Sequence, residues 1–187
     1  MPARPHRAAS PSLQGLIAYE QRTRQVIADV TAALSQGRNC LVLNNWTSHL
    51  DKLADALRAI GHDPVILRGG MGARARAATV ARLQPGGPPL LAVATGPYAG
   101  EGFDCPTLDT LFLTAPIAQK GRLVQYADRI LRPYDGKATA EVHDYHDELT
   151  GVLASSLAKR APGYTSLGFP DLSKLPYTPS ADVATMT

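Results

Sequence analysis

The sequence lacks the features with which a protein holds a nucleoside triphosphate by itself. It contains no phosphate-cradling loop of the form GxxxxGK[ST], and no acidic magnesium-binding box on a preceding strand. We therefore expect that the chain alone does not hold Mg-ATP. A dinucleotide fingerprint is also missing, because the first predicted strand leads into Asn44, Asn45 and Trp46 rather than glycines. This disfavours a small nucleotide-binding α/β protein of another kind.

Cysteine, long apolar runs and an excess of charge are also scarce. The two cysteines, Cys40 and Cys105, have no ligand-like spacing, so we interpret them as reduced core residues of a cytosolic protein. No apolar run reaches transmembrane length, and the polar start lacks a signal-peptide core. We therefore expect a cytoplasmic protein with no membrane partner. A net charge of +3 permits nucleic acid as a partner but does not demand it.

What the sequence does contain is an alternation of short apolar runs with amphipathic segments. At 187 residues and 44% hydrophobic content, one domain can fold without metal or disulfides. The alternation predicts an α/β fold, a three-layer αβα arrangement with a mainly parallel sheet. The predicted strands are 40–43, 65–67, 90–95, 109–113 and 139–145, the last of the sheet. The predicted helices begin near 16, 50, 72, 121 and 148.

The two ends of the chain differ from its middle. Residues 1–15 are rich in Pro, Ala, Ser and Arg without periodicity, which predicts a disordered tail. Residues 170–187, with Pro, Ser and Thr, predict a flexible C-terminal tail. The folded domain is therefore expected to extend over residues 16–169.

Glycines follow the third predicted strand. Gly96, Gly100 and Gly102 allow the backbone to approach a ligand closely or to adopt positive φ, and Asp104 ends the same turn. The turn is expected at the carboxyl end of a strand, which is where ligands bind in open α/β sheets.

The helix predicted after the fourth strand carries polar and charged side chains on one face. Gln125, Arg129 and Arg132 fall at i, i+4 and i+7, so an amide and two guanidiniums share one face, which suits an anion with several oxygens. The alternative is an ordinary salt-bridged surface helix. Asp128 lies four residues before Arg132 and could pair with it, which favours that alternative.

These segments together resemble a known family. Residues 94–104, 106, 108–111 and 125–132 resemble motifs V, Va and VI of the second RecA-like domain of superfamily-two helicases. The DEAD/DEAH-type group, with restriction-enzyme motor subunits and DNA repair translocases, is the most similar. The likeness extends over residues 19–169, and the family has glycine in place of Asp128. In this resemblance the turn from Asn44 to His49 is motif IV, with Thr47 or Ser48 available to cap the next helix.

The resemblance implies a RecA-like second lobe of an ATP-dependent helicase or translocase, without a phosphate loop. ATP with Mg would lie in the cleft with a phosphate-loop lobe, supplied in cis or trans, so the isolated chain is expected to be inactive as an ATP hydrolase. Arg132 would be the arginine finger, Arg129 a second γ-phosphate ligand and Gln125 an orienting amide. Gly102 and Asp104 would lie near the nucleotide.

The same resemblance implies contacts with a nucleic-acid backbone, DNA or RNA. Thr95 would face a phosphate, and Arg68, Gly69 and Gly96 would lie near the strand. A second hypothesis remains open: a non-catalytic relic or regulator with the same fold that binds nucleic acid or a partner protein.

Two further groups of residues suggest sites that we do not predict. His143, Asp144, His146 and Asp147 resemble metal ligands in type, but alternation along a strand directs the two histidines to opposite faces, so no metal site is expected. The arginines at 74, 76 and 82 decorate one predicted helix, and a solvated face is the preferred interpretation.

Overall fold

The computed structural model describes residues 13–84, 86–96, 98, 104–115, 120–145, 162–170 and 182–186, with the backbone alone for 13–19, 120 and 182–186. The strands are β1 (Cys40–Asn44), β2 (Val65–Leu67), β3 (Leu91–Thr95), β4 (Thr110–Leu113), β5 (Ala140–Asp144) and β6 (Asp182–Met186). The helices are α1 (Leu13–Ser35), α2 (Thr47–Ala59), α3 (Ala73–Ala81) and α4 (Lys120–Leu131), with a short helical turn at 162–166. Gly102 and the helix predicted near 148 lie outside the described residues, as do His146 and Asp147.

One six-stranded sheet runs through the molecule in the order β2-β3-β1-β4-β5-β6. The first five strands are mutually parallel, and β6 pairs antiparallel with β5. The central strands β1, β3 and β4 are buried along their length, as expected where helices cover both faces. The predicted α/β fold with a mainly parallel sheet is confirmed.

Two hydrophobic cores lie on the two faces of the sheet. On one face, α1 and α2 pack against the strands, with Val30 and Leu53 among their fully buried residues. On the other face, α4 and the segment around Tyr164 pack against alternate strand residues, as Leu123 illustrates. Strand alternation explains the division, because Val42 faces the first core and Leu41 the second. This is the predicted three-layer arrangement.

The ends of the fold differ from the prediction in two places. Helix α1 begins at Leu13 rather than near residue 16. Strand β6 lies at Asp182–Met186, in the segment predicted as a tail, so the prediction that residues 139–145 form the last strand is wrong. A five-residue strand at a sheet edge depends on pairing with β5, about 40 residues earlier, which a local sequence pattern does not reveal.

The starts of the central strands are joined by two polar residues before β1. Arg38 forms ion pairs with Asp109 at 3.3 Å and Glu141 at 3.1 Å, at the starts of β4 and β5. The Asn39 Nδ2 donates to the carbonyl of Thr107 at 3.0 Å, and its Oδ1 accepts from the Leu90 amide at 2.8 Å. These bonds fix the amino edge of the sheet and the loop leading into β4.

Both cysteines are buried and form no disulfide, as predicted. Burial raises the pKa of the Cys105 thiol, which keeps it protonated. No helix in the described part of the chain is long and apolar enough to cross a membrane.

Candidate functional site

The predicted site residues lie at two opposite edges of the sheet. Helix α4 starts beyond the carboxyl end of β4 and returns to the start of β5, so Arg132, just after its end, lies at the amino edge. Asp104 lies at the same edge, before β4, whereas Thr95 and Gly96 end β3 at the carboxyl edge. A five-residue strand is about 17 Å long. The prediction of a turn at the carboxyl end is therefore right for Gly96 and wrong for Asp104.

Arg132 is held at the amino edge by both its side chain and its main chain. Its Nη1 lies 2.5 Å from Oδ1 of Asp104, and both side chains are partly exposed. The Lys137 Nζ donates to the Arg132 carbonyl at 2.8 Å and to the Pro106 carbonyl at 3.1 Å. Burial lowers the pKa of Lys137. Its amino group donates hydrogen bonds to carbonyls at the end of the helix, as lysines near helix C-termini commonly do. The end of α4 is thereby joined to the loop that carries Asp104.

The rest of the α4 face follows the prediction in part. Leu123, Ala127 and Ile130 are fully buried and form an apolar stripe on the opposite side of the helix. Gln125 is exposed and Arg129 is half-buried on the other side of the helix. Asp128 is exposed, and the carboxylate that pairs with Arg132 is Asp104. The suggestion that Asp128 pairs with Arg132 is therefore wrong, because a loop residue 28 positions earlier takes that place.

At the carboxyl edge, the predicted nucleic-acid residues are less exposed than expected. Thr95 is 9% exposed, and it pairs in register with Asn44 of β1. Gly96 is buried. A Cβ added at this position would lie 2.6 Å from the Tyr126 hydroxyl and 2.9 Å from Oδ1 of Asn45. Gly96 is thus required for close packing of α4 against the end of β1.

The two residues after β2 are at the surface. Arg68 forms an exposed ion pair with Asp51 of α2 at 3.2 Å, and Gly69 is exposed. Such a pair in high dielectric is weak, so a phosphate could replace Asp51 as the partner of Arg68. Arg68 thus remains the most accessible cation of the predicted set.

A buried polar network at this edge was not foreseen from the sequence. Asn44 Oδ1 accepts from the Trp46 amide at 2.8 Å, so its Nδ2 must be the donor to Thr114 Oγ1 at 2.8 Å and to His49 Nδ1 at 2.7 Å. With Nδ1 accepting, the His49 proton is on Nε2, which faces Thr23 Oγ1 at 3.4 Å. The signal available in the sequence was the polar pair of Asn44 and His49 at i and i+5 after a buried strand.

His49 is neutral in this network. Burial lowers its pKa to about 4, and the positive charges of Arg22 and Lys52 act in the same direction. The imidazole therefore serves as a fixed acceptor and donor, and it does not contribute charge at neutral pH.

Helix α3 is basic and has no buried residue. Arg82, just after it, pairs with Asp63 at 2.5 Å, which fits the preferred interpretation of a solvated face. Arg76 differs, because its guanidinium lies 5.7 Å from the centroid of the Tyr98 ring in a cation–π arrangement.

His143 and Asp144, which resemble metal ligands in type, make other contacts in the structure. Asp144 is buried and accepts from the Tyr164 hydroxyl at 2.8 Å, and His143 stacks on Phe112 with ring centroids 4.4 Å apart. Across the described ranges there is no group of three or more His, Cys, Asp or Glu that could hold a metal.

Comparison with known protein families shows which family this chain belongs to. Residues 22–134, more than half of the chain, match the model of the helicase conserved C-terminal domain. The chain belongs to this family. Residues 22–134 of this helicase C-terminal domain extend from α1 to just beyond α4, and include Arg68, Thr95 and Arg132. No curated protein matches the sequence.

Solved structures share the fold of this helicase C-terminal domain. The C-terminal part of the Fun30 ATPase domain has a TM-score of 0.53 at 14% identity, over 62% of this chain and 38% of that one. S. cerevisiae Dbp5 bound to RNA and ADP BeF3 has 0.60 at 17% identity, over 76% and 36%. The E. coli DEAD-box protein SrmB, bound to the regulator RraA, has 0.61 at 20% identity, over 75% and 79%. The resemblance to the second RecA-like domain of superfamily-two helicases is confirmed.

Proposed function

We propose that this helicase C-terminal domain is the second motor lobe of an ATP-dependent nucleic-acid helicase or translocase, related in type to restriction-enzyme motor subunits and DNA repair translocases. It would complete the ATP site of a partner lobe that carries a phosphate loop, in cis or in trans. The observation that carries the proposal is the position of Arg132 beside Asp104 at the end of α4, in a chain without a phosphate loop of its own.

Arg132 and Asp104, at the amino edge, suit the nucleotide side of such a cleft. Arg132 would act as the arginine finger, Arg129 as a second ligand of the γ-phosphate and Gln125 as an orienting amide, while Asp104 and Gly102 would lie near the nucleotide. A guanidinium fork binds phosphate oxygens through two parallel hydrogen bonds, and it stabilises the charge that develops during phosphoryl transfer. Mg would be supplied with ATP by the partner lobe. The side chain of Arg132 is partly exposed, so it is accessible to a phosphate from outside.

The carboxyl-edge residues suit contact with the nucleic-acid strand along which the motor would move, which we call the track. Arg68 would contact a phosphate of DNA or RNA, with Thr95 and the main chain of Gly69 and Gly96 beside it. Because Thr95 and Gly96 are nearly buried, main-chain groups and Arg68 would contribute most of the contact. Such contacts read no base sequence. They weaken as the salt concentration rises, because releasing counterions into a more concentrated solution gains less free energy.

A titration of labelled single-stranded oligonucleotide with the chain tests the track side. We expect weak binding that tolerates any sequence and weakens between ~50 and ~200 mM salt. Arg68→Ala should reduce the salt dependence, whereas Arg58→Ala, an equally exposed ion-paired arginine of α2, should not. Undetectable binding at low salt, or affinity unchanged by salt, would contradict the track assignment.

A second candidate function is favoured by one observation. Asp128 stands on the arginine face where the family has glycine, and Arg132 already has Asp104 as its partner. A relic or regulator that binds nucleic acid or a protein without catalysis would tolerate both features. It predicts that no phosphate-loop lobe gains activity from this chain.

A further inference from the structure

Trp46 is the most exposed large hydrophobic residue among those whose side chains the structure describes, at 56%. It lies between the end of β1 and the first turn of α2, with extended backbone angles of φ −111° and ψ 121°. Trp46 belongs to neither hydrophobic core, so more than half of its surface is in water. The side chain is thus available to a ligand.

The backbone of Trp46 is fixed in spite of the exposure of its side chain. Its amide donates to Oδ1 of Asn44 at 2.8 Å, and Asn44 is buried, with its Nδ2 bonded to both His49 and Thr114. Its carbonyl accepts from the amides of His49 and Leu50 in the first turn of α2. A rigid main chain lowers the entropy lost when the ring is immobilised by a ligand.

The position of Trp46 joins it to the proposed track site. Asn44 pairs in register with Thr95, and Asn45 lies against Gly96, so Trp46 follows directly after the two residues that border that site. Positive charge is close by, since Arg22 and Lys52 both lie near enough to lower the pKa of His49 in the same network. An exposed aromatic ring beside cations and beside groups proposed to contact phosphates is the combination with which proteins bind single strands through base stacking.

We propose that Trp46 stacks on a base of the single-stranded nucleic acid bound at the carboxyl edge of the sheet. The inference rests on the proposed function and adds to it a base contact, where Arg68 and Thr95 are expected to contact phosphates. Because every base has a π-face, the stacking tolerates any sequence.

Trp46 is the single tryptophan of the chain, so intrinsic fluorescence reports on this residue alone. A titration of the full chain with oligo-deoxythymidine of about a dozen nucleotides would be followed by tryptophan emission and, separately, by the anisotropy of a labelled oligonucleotide. We expect quenching of the emission with the same midpoint as the anisotropy. An abasic oligonucleotide of equal length keeps the phosphates and should bind more weakly, with little quenching.

Variants separate the ring from the fold. Trp46→Ala should weaken binding on the order of tenfold, and Trp46→Phe should recover most of it. Tyr134→Ala, at an exposed aromatic of the opposite edge, should change nothing. Unchanged binding by Trp46→Ala, or anisotropy without quenching, would overturn this proposal while leaving the track assignment intact. No binding in the anisotropy titration at low salt would overturn both.

Discussion

The guanidinium of Arg132 and the carboxylate of Asp104 lie 2.5 Å apart, so the two groups proposed to meet the nucleotide bind each other in this lobe. Asp104 precedes β4 and Arg132 follows α4, and the two residues meet at the amino edge of the sheet. A γ-phosphate that enters from a partner lobe must compete with Asp104 for Arg132. The ion pair therefore holds Arg132 at the surface, where a phosphate could replace Asp104 as its partner.

The Arg132 side chain should matter little for folding. Removing one partner of a partly exposed ion pair costs below about 1 kcal/mol of the free energy of unfolding. We expect Arg132→Ala to unfold in urea within that margin of the unsubstituted chain, and Arg82→Ala, which loses an exposed pair with Asp63, to behave alike. A loss of several kcal/mol in Arg132→Ala alone would make Arg132 a structural residue.

Asp128 should lower activity through its charge. A carboxylate ~5 Å from a phosphate charge at an effective dielectric of ~20 costs about 3 kcal/mol before screening. In a complex with a phosphate-loop lobe, Asp128→Gly should therefore raise ATP hydrolysis. Asp128→Asn is the matched variant, because it removes the charge without the helix cost of about 1 kcal/mol for glycine. Lost activity in both variants, with the fold intact, would give Asp128 a positive role.

Part of this site followed from the sequence, because it depends on local periodicity. The buried stripe of α4 and the shared face of Gln125, Arg129 and Arg132 are set by helical spacing. The partner of Arg132 could not be found in that way. Helical spacing offers Asp128, whereas Asp104 approaches only when the strands have formed and Lys137 has joined the end of α4 to the loop.

Gly96 should be intolerant of a side chain. A Cβ there would lie 2.6 Å from the Tyr126 hydroxyl, so Gly96→Ala forces a shift that should cost about 1–3 kcal/mol in urea unfolding. Adding Tyr126→Phe removes that hydroxyl and should recover part of the loss, a coupling that a double-mutant cycle measures. Gly87→Ala, where nothing lies within 4 Å, should be close to neutral. Equal effects at the two glycines would contradict the close approach.

His49 should make stability depend on pH. Its pKa in the folded chain is about 4, below the ordinary 6.5, so protonation favours the unfolded state. The stabilisation is complete above pH ~6.5 and should fall by at most about 1.4 kcal/mol per pH unit as the pH drops toward 4. In His49→Gln this component should be absent, so the difference between the two proteins should shrink from pH 7.5 to pH 5. A constant difference would contradict a neutral, buried His49.

Contacts between distant residues explain what the sequence left out. Thr47 and Ser48 were the predicted caps of α2, yet the N-cap is Trp46, which has no side-chain cap bond, and Asn44 accepts its amide instead. Arg38 reaches residues about 70 and 100 positions later. Polar side chains after a strand suggest such networks, but the partners are chosen by strand order. The central strands β1, β3 and β4 were predictable because burial on both faces leaves continuous apolar runs.

Magnesium-dependent ATP hydrolysis, measured with and without single-stranded nucleic acid, tests the motor-lobe assignment most directly. The full chain would be compared alone and mixed with a first RecA-like lobe that carries GxxxxGK[ST] and lacks a second lobe. We expect no turnover by the chain alone, nucleic-acid-stimulated turnover in the complex, and a loss on the order of 10³ in Arg132→Ala but none in Arg82→Ala. Turnover by the purified chain alone, or turnover in the complex that is unaffected by Arg132→Ala, would contradict the assignment.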